Sequence, residues 1–245
     1  MAIQLATPTG LVASSNVSYY GSSPIPSVSL TWDAVPNAAK YTVRYKLSSE
    51  STWEEGTALG TSWSVSSWEG YIQEGKVVNL QVMAVSDDTV SYTNSNYSST
   101  VSVKVKTGLS KPSSVKVTPG ATSCYISWKG SYNASSYTVY YKSSSETNWL
   151  SSTGIAGTST VIDSLAEGTT YKFYVEAVGE GDYANSYKST TVSATTKITL
   201  QIPTGIVATN ITSNSARLAW NAVENASAYK VEFRQLGMTE WAEQL

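Results

Sequence analysis

The sequence contains no histidine among its 245 residues, and only 14% of them are charged. Without histidine the chain has no imidazole base, no Ser-His or Cys-His pair and no histidine-ligated metal. Its 16 basic and 18 acidic residues give a net charge of −2. Phosphate recognition depends on many cations displacing counterions, so this balance disfavours a nucleic-acid partner. These absences argue against most hydrolases and against nucleic-acid-binding proteins.

Cysteine and long apolar runs are also scarce. The single Cys124 cannot form an intrachain disulfide or supply a thiolate metal cluster. No window approaches the roughly 18 apolar residues that a membrane-spanning helix needs, so we expect no membrane insertion. The first ten residues lack the basic start and apolar run of a secretory signal. We therefore expect a fragment of a longer chain or a protein not exported by that route.

What the chain does contain favours β-structure. It has 17 Tyr and 8 Trp but only 2 Phe, and it is rich in Ser and Thr, a composition typical of strands and polar turns. Apolar residues alternate with polar ones, the period of a strand with one buried face. Three such sets are Val28, Leu30 and Trp32; Cys124, Ile126 and Trp128; and Ala216, Leu218 and Trp220. Cys124 is thus predicted to be a core residue.

One pattern occurs three times, at steps of 96 and 92 residues. Its copies are the segments YTVRYK at 41–46, YTVYYK at 137–142 and YKVEFR at 229–234. A tryptophan lies nine positions before each opening tyrosine, and another lies twelve positions after it: Trp32 and Trp53, Trp128 and Trp149, and Trp220 and Trp241. Fixed offsets of this kind indicate three copies of one domain-sized unit.

The repeats predict an all-β fold of tandem antiparallel β-sandwiches, with several short strands per hundred residues. We predict domains at 1–107, 108–197 and 198–245. The first carries insertions, at 19–24 and near Trp68, and the third contains only the first three strands and the tryptophan beyond them. We expect the natural chain to continue. Because the third copy would leave an apolar face and strand edges uncovered, self-association through 198–245 is also expected.

Four features of the second copy resemble the fibronectin type III module. They are a proline near the first strand, a tryptophan in the second, Tyr-x-Val-x-Tyr in the third, and Leu165-x-x-Gly168-x-x-Tyr171 before a Phe-x-Val-x-Ala strand. The resemblance implies an immunoglobulin-like sandwich with a tyrosine corner, in which the Tyr171 phenol bonds backbone near the preceding turn. In the first copy Val78 stands at the position of that tyrosine, so we expect a looser corner there.

Exposed aromatic residues are the candidates for ligand contact. Trp53 and Trp149 follow Ser-rich turns, and a row of indoles could stack on sugar rings or grip a protein. The other interpretation, which their fixed recurrence favours, is that each packs on the neighbouring strand. Two loops, 86–92 and 179–187, join the last two strands of their copies and are rich in Tyr, Ser, Asn and Gly. Their candidates are Tyr92, Tyr183 and Tyr187.

Three carboxylate pairs are candidate calcium ligands or catalytic acids: Asp87 with Asp88, Glu54 with Glu55, and Glu180 with Asp182. None has the alternating spacing of an EF-hand loop, and the convex loops of a sandwich do not readily form the cleft that paired-carboxyl catalysis needs. We expect no catalytic residue, no metal site and no cofactor.

The family resemblance implies a non-enzymatic role: a structural spacer and adhesion or protein-interaction module of a larger extracellular or cell-surface protein. Two alternatives remain open. One is a glycan-binding accessory region that holds a catalytic domain near a polysaccharide, and the other is a virion-surface module. The expected partner is accordingly a protein or a glycan.

Overall fold

The computed structural model describes residues 2–67 and 71–244. The predicted insertion near Trp68 lies outside the described residues. The described part of the chain is strand-rich and has no α-helix, and no helix in it is long and apolar enough to cross a membrane. The predicted all-β class is confirmed.

The first sandwich packs a three-stranded sheet, in the order β2-β3-β6, against a four-stranded sheet, in the order β5-β4-β7-β9. All of these pairings are antiparallel, whereas β1 and β8 form a small parallel pair at one end. The strands are β1 (Ile3–Gln4), β2 (Val12–Tyr20), β3 (Ser23–Thr31), β4 (Lys40–Leu47), β5 (Glu54–Ala58), β6 (Ser62–Ser66), β7 (Val77–Val85), β8 (Tyr92–Thr93) and β9 (Val101–Lys104).

The second sandwich repeats this topology, with sheets ordered β11-β12-β15 and β14-β13-β16-β18. Its parallel end pair joins β10 to β17. The strands are β10 (Thr107–Gly108), β11 (Ser113–Pro119), β12 (Cys124–Lys129), β13 (Ser136–Ser143), β14 (Leu150–Ile155), β15 (Ser159–Ile162), β16 (Thr170–Val178), β17 (Tyr183–Ala184) and β18 (Val192–Thr195).

The third repeat, residues 198–244, has four short strands in two two-stranded sheets, β19-β20 and β21-β22. The sequence predicted three strands, and the structure adds a fourth directly after Trp241. The strands are β19 (Val207–Thr209), β20 (Arg217–Ala219), β21 (Val231–Phe233) and β22 (Ala242–Gln244). They correspond to β11–β14 of the second sandwich, in agreement with the sequence repeat.

Each complete sandwich has its own apolar core between the two sheets. Val43 and Val82 are fully buried in the first core, and Val139 and Val175 occupy the same positions in the second. Cys124 is also fully buried, which confirms it as a core residue, and burial raises the pKa of its thiol. The alternation read from the sequence therefore identifies the buried face correctly.

One tryptophan–tyrosine unit recurs in all three repeats. The rings of Trp32 and Tyr41, Trp128 and Tyr137, and Trp220 and Tyr229 meet edge to face, at centroid distances of 5.2, 5.4 and 5.2 Å. Each tyrosine hydroxyl accepts a backbone N–H six residues upstream, at 2.8, 2.9 and 2.6 Å. An asparagine with φ near +64° turns the chain between the two rings in every copy. Residues at equivalent positions of the three sequence repeats thus make the same contacts in the structure.

The predicted tyrosine corner is present in the second sandwich, where the Ala166 N–H donates to the Tyr171 hydroxyl at 3.0 Å. The turn before it uses Gly168 at φ +63°. In the first sandwich Gly75 adopts φ +73°, and its N–H donates to the Val105 carbonyl at 2.9 Å. Val78 and Val105 are both fully buried there. Apolar packing takes the place of the phenol, and the looser corner stays a prediction.

Candidate interaction surface

The outer faces of the two four-stranded sheets carry clusters of aromatic and charged side chains. In β4 the residues Tyr41 and Val43 point into the core, so Arg44 points outward because side chains alternate along a strand. The Arg44 guanidinium lies 4.7 Å from the Trp53 ring and 3.8 Å from the Tyr97 ring. Its Nε also donates to Gln81 at 2.7 Å. Arg44 is therefore held between two aromatic rings.

Acidic and basic neighbours extend this first cluster. The Tyr97 hydroxyl donates to the Glu55 carboxylate at 2.8 Å. Burial, followed by this hydrogen bond and the charge of Glu55, raises the pKa of Tyr97 to about 12. The Lys46 ammonium lies 5.2 Å from the Trp53 ring. Cations therefore lie over the Trp53 ring, which lowers its capacity to stack on a sugar.

The second sandwich has a corresponding cluster made mainly of rings. Tyr140 and Tyr174, directly paired on β13 and β16, stack at 4.7 Å with 15° between their planes. Trp149 meets Tyr174 edge-on at 4.7 Å. The ammonium groups of Lys142 and Lys188 lie 5.3 Å from the Trp149 ring and 5.8 Å from the Tyr174 ring. The result is a half-buried ladder of rings flanked by cations.

One carboxyl completes this ladder. Burial raises the pKa of Glu176, partly offset by a hydrogen bond with Tyr140 and by the charge of Lys188. Burial and the nearby Glu176 charge raise the pKa of Tyr174 to about 12. Both tyrosines on this face therefore stay neutral at physiological pH, and the surface keeps its hydroxyl donors.

The cation–tryptophan pair recurs in the third repeat, where the Arg234 guanidinium lies 4.6 Å from the Trp241 ring. In all three copies the second tryptophan thus packs under a basic residue from the adjacent strand. These contacts agree with the packing interpretation of Trp53 and Trp149. A role for the two indoles in ligand contact stays a prediction.

Tyr183 and Tyr187 lie where the first two sandwiches meet. Tyr183 belongs to β17, which pairs with β10 in the connection between the sandwiches. Its hydroxyl accepts a hydrogen bond from the Asn133 amide at 2.7 Å. The Tyr187 ring lies 5.6 Å from the ring of Tyr19 in the first sandwich. Both tyrosines are half-buried by intrachain contacts, so the loop 179–187 is not a free tip.

The loop 86–92 lies at the other end of the first sandwich. Tyr92 pairs with Ile3 through β8 and packs against the first core. The Asp88 carboxylate accepts the backbone N–H groups of Val90 and Ser91 at 3.1 and 2.9 Å. These hydrogen bonds, chiefly those from Ser91, lower the pKa of Asp88. Asp88 therefore closes the turn of its own loop.

Two other candidate carboxylate ligands also have intrachain partners. Glu55 accepts the Tyr97 hydroxyl, and Asp182 pairs with Lys104 at 2.5 Å across the two sandwiches. The ring partners of Arg44 and Lys142 were not predicted from the sequence. The outward direction of Tyr140 and Tyr174 could have been predicted from the sequence, since each lies next to a buried residue on its strand. For Tyr97 no such strand pattern exists.

The second sandwich matches the model of the fibronectin type III domain over residues 110–192. Residues 110–192 are therefore similar to a fibronectin type III domain. The chain is similar in structure to the chicken CNTN1 FN1-FN3 domains, with a TM-score of 0.57 and 15% identity over 80% of this chain and 69% of that one. A two-domain fibronectin type III segment of chicken tenascin matches with a TM-score of 0.35 and 18% identity, over 78% of this chain and 100% of that one. No curated protein matches.

The predicted resemblance is therefore confirmed, and the chain has the architecture of tandem fibronectin type III repeats. The first sandwich, which lies outside the matched segment, has the same strand order and the same end pair as the second. The first and second sandwiches each have their own apolar core and share one topology.

Proposed function

We propose that the chain is a non-enzymatic spacer and protein-interaction segment of a larger extracellular or cell-surface protein. The fibronectin type III match and the serial sandwiches support the spacer role. The similarity to tandem fibronectin type III domains of chicken CNTN1 supports the same reading. The interaction role depends on the clusters on the outer sheet faces.

The observation that carries the interaction role is the recurrence of those clusters on the outer face of the four-stranded sheet in both sandwiches. Arg44, Trp53 and Tyr97 in the first sandwich, and Tyr140, Trp149 and Tyr174 in the second, hold one another in fixed positions. Tryptophan, tyrosine and arginine dominate the energetics of protein interfaces. Rings already held in place lose little side-chain freedom on binding, which favours affinity.

A protein partner fits this face better than a glycan does. Sugar rings stack on open aromatic faces, whereas Trp53 lies under two cations and Tyr140 and Tyr174 cover each other. A sheet face also lacks the concave shape of most small-ligand sites. The glycan-binding alternative therefore has weaker support from the geometry.

The test is binding of the immobilised full chain to two arrays, one of extracellular proteins and one of polysaccharides. We expect protein binding that is lost with Arg44→Ala or Tyr174→Ala. The matched control is Tyr132→Ala, which changes a tyrosine that is 88% exposed in the loop after β12. Circular dichroism checks that each variant is folded.

Two outcomes would contradict the proposal. Retention on polysaccharides that the same two variants abolish would establish the glycan-binding role. Protein binding that survives both variants would place the interaction surface elsewhere on the chain.

A further inference from the structure

The first two sandwiches meet through the long hairpin formed by β2 and β3 of the first sandwich. The tip of the β2–β3 hairpin, residues 19–24, is the insertion predicted in the first copy. The Tyr19 hydroxyl donates to the Asn185 carbonyl at 2.6 Å, and its ring lies 5.6 Å from Tyr187. Burial, followed by the charges of Glu74 and Glu176, raises the pKa of Tyr19. The tip thus reaches across to the second sandwich.

In the connecting strand, residues 106–109, four consecutive backbone N–H groups donate hydrogen bonds alternately to the first and the second sandwich. The N–H groups of Lys106 and Gly108 donate to Ser15 and Glu74 of the first sandwich, both at 2.9 Å. Those of Thr107 and Leu109 donate to the carbonyls of Asp182 and Ala184 in the second, at 2.9 and 3.2 Å. Successive N–H groups of an extended strand point to opposite sides. The connecting strand is therefore hydrogen-bonded to both sandwiches at once.

Steric fit at Gly108 adds a second constraint. A Cβ atom there would lie 2.9 Å from the Tyr19 hydroxyl oxygen and 3.0 Å from the Cβ of Pro24. The hairpin tip is thus packed directly on the connecting strand, with no space for a methyl group. The ion pair between Lys104 and Asp182 also spans the joint, but both side chains are about half exposed, so it contributes little.

The connection between the second sandwich and the third repeat is hydrogen-bonded to the second sandwich through residues 197–199. The Lys197 N–H donates to the Gly120 carbonyl at 2.7 Å, and Thr199 donates to Glu167 through its hydroxyl and its N–H. Gly120 and Glu167 both belong to the second sandwich. This second connection can therefore be compared with the first one, which is also contacted by the hairpin tip 19–24.

We propose that the first two sandwiches form one rigid body, locked by the hairpin tip 19–24 and the connecting strand 106–109. The lock fixes the distance and angle between their two outer sheet faces. A partner that contacts both faces therefore meets a preorganised surface. This inference concerns the joint alone and stands whether or not the outer faces bind a protein.

The experiment is measurement of residual dipolar couplings on the full chain in a weakly aligning medium. We expect the first and second sandwiches to share one alignment tensor and the third repeat to have a different one. Different tensors for the first two sandwiches in the unmodified chain would overturn the proposal.

Two variants make the test specific to the joint. Gly108→Ala inserts a methyl group between strand and hairpin, and Tyr19→Ala removes the ring and hydroxyl that reach Asn185. Both should separate the two tensors and speed amide exchange at Lys106. Gly157→Ala is the matched control, since its Cβ would meet no atom within 4 Å, and it should change neither. A shared tensor in folded Gly108→Ala would refute the steric lock.

Discussion

Trp128 is a large aromatic residue of the second core. It is 6% exposed and its ring packs edge to face on Tyr137. Truncating a buried aromatic costs about 3 to 5 kcal/mol, and a whole domain is stable by about 5 to 15 kcal/mol. Trp128→Ala should therefore open the second sandwich near room temperature, measured as rapid amide exchange at Val139 and Val175 in the full chain.

A control for this substitution lies in the third repeat. Trp241 is 55% exposed, so Trp241→Ala should leave exchange in the second sandwich unchanged. Slow exchange at Val139 in folded Trp128→Ala would show that the core does not depend on this ring.

Two tyrosines of the outer faces should lose their hydroxyl protons only at unusually high pH. The pKa values of Tyr97 and Tyr174 are raised to about 12, chiefly by burial. A spectrophotometric titration of the folded chain should contain a step near pH 12 that shrinks in Tyr97→Phe and in Tyr174→Phe. A step unaffected by both variants would mean that these rings are solvated.

At the scale of elements, the tyrosine corner connects the turn at 165–168 to β16. Tyr171→Phe keeps the ring and removes the hydroxyl that accepts the Ala166 N–H. Losing one such hydrogen bond costs about 1 kcal/mol, so the free energy of unfolding of the second sandwich should fall by that amount. Tyr125→Phe, on an exposed position of β12, is the matched control. Equal stability of the two variants would contradict a structural role for this bond.

The hydrogen bonds between Thr199 and Glu167, which attach the second connection to the second sandwich, should depend on pH. The Thr199 hydroxyl, and then its N–H, bind the Glu167 carboxylate and lower its pKa. A group whose pKa is lowered by folding stabilises the structure above its ordinary pKa and loses that effect as pH falls through the lowered value. The Thr199 amide resonance should therefore shift in acid, below the ordinary glutamate range. Glu167→Gln should abolish the shift, and a persisting shift would assign it to another group.

At the scale of the whole molecule, the third repeat should be the least stable part. Its Leu218 is 39% exposed, whereas the equivalent Ile126 is fully buried beneath the opposite sheet of the second sandwich. Little of the apolar surface of residues 198–244 is covered, so local opening should be frequent. Amide exchange at Val231 should be much faster than at Val139, and light scattering should show concentration-dependent association. A monomer with equal protection at both sites would refute this.

The sequence alone determined the repeat, the strand pattern and the core. These properties are local, since an alternation of period two states which side of a strand is buried, whatever lies opposite. The Tyr171 corner was expected from the resemblance of one short motif to the fibronectin type III module. For the same reason the departure at Val78 was visible in advance, although its replacement by apolar packing was not.

Tertiary structure alone decided which aromatic residues are engaged within the chain. Tyr19 and Asn185 are 166 positions apart, and no periodicity relates an insertion in one repeat to a loop of the next. The stacking of Tyr140 on Tyr174 depends on strand pairing across the sheet, and the contact of Tyr97 with Arg44 depends on the path of a connecting loop. Alternation fixes the direction in which a side chain points, whereas its neighbour is fixed by how separate segments pack together.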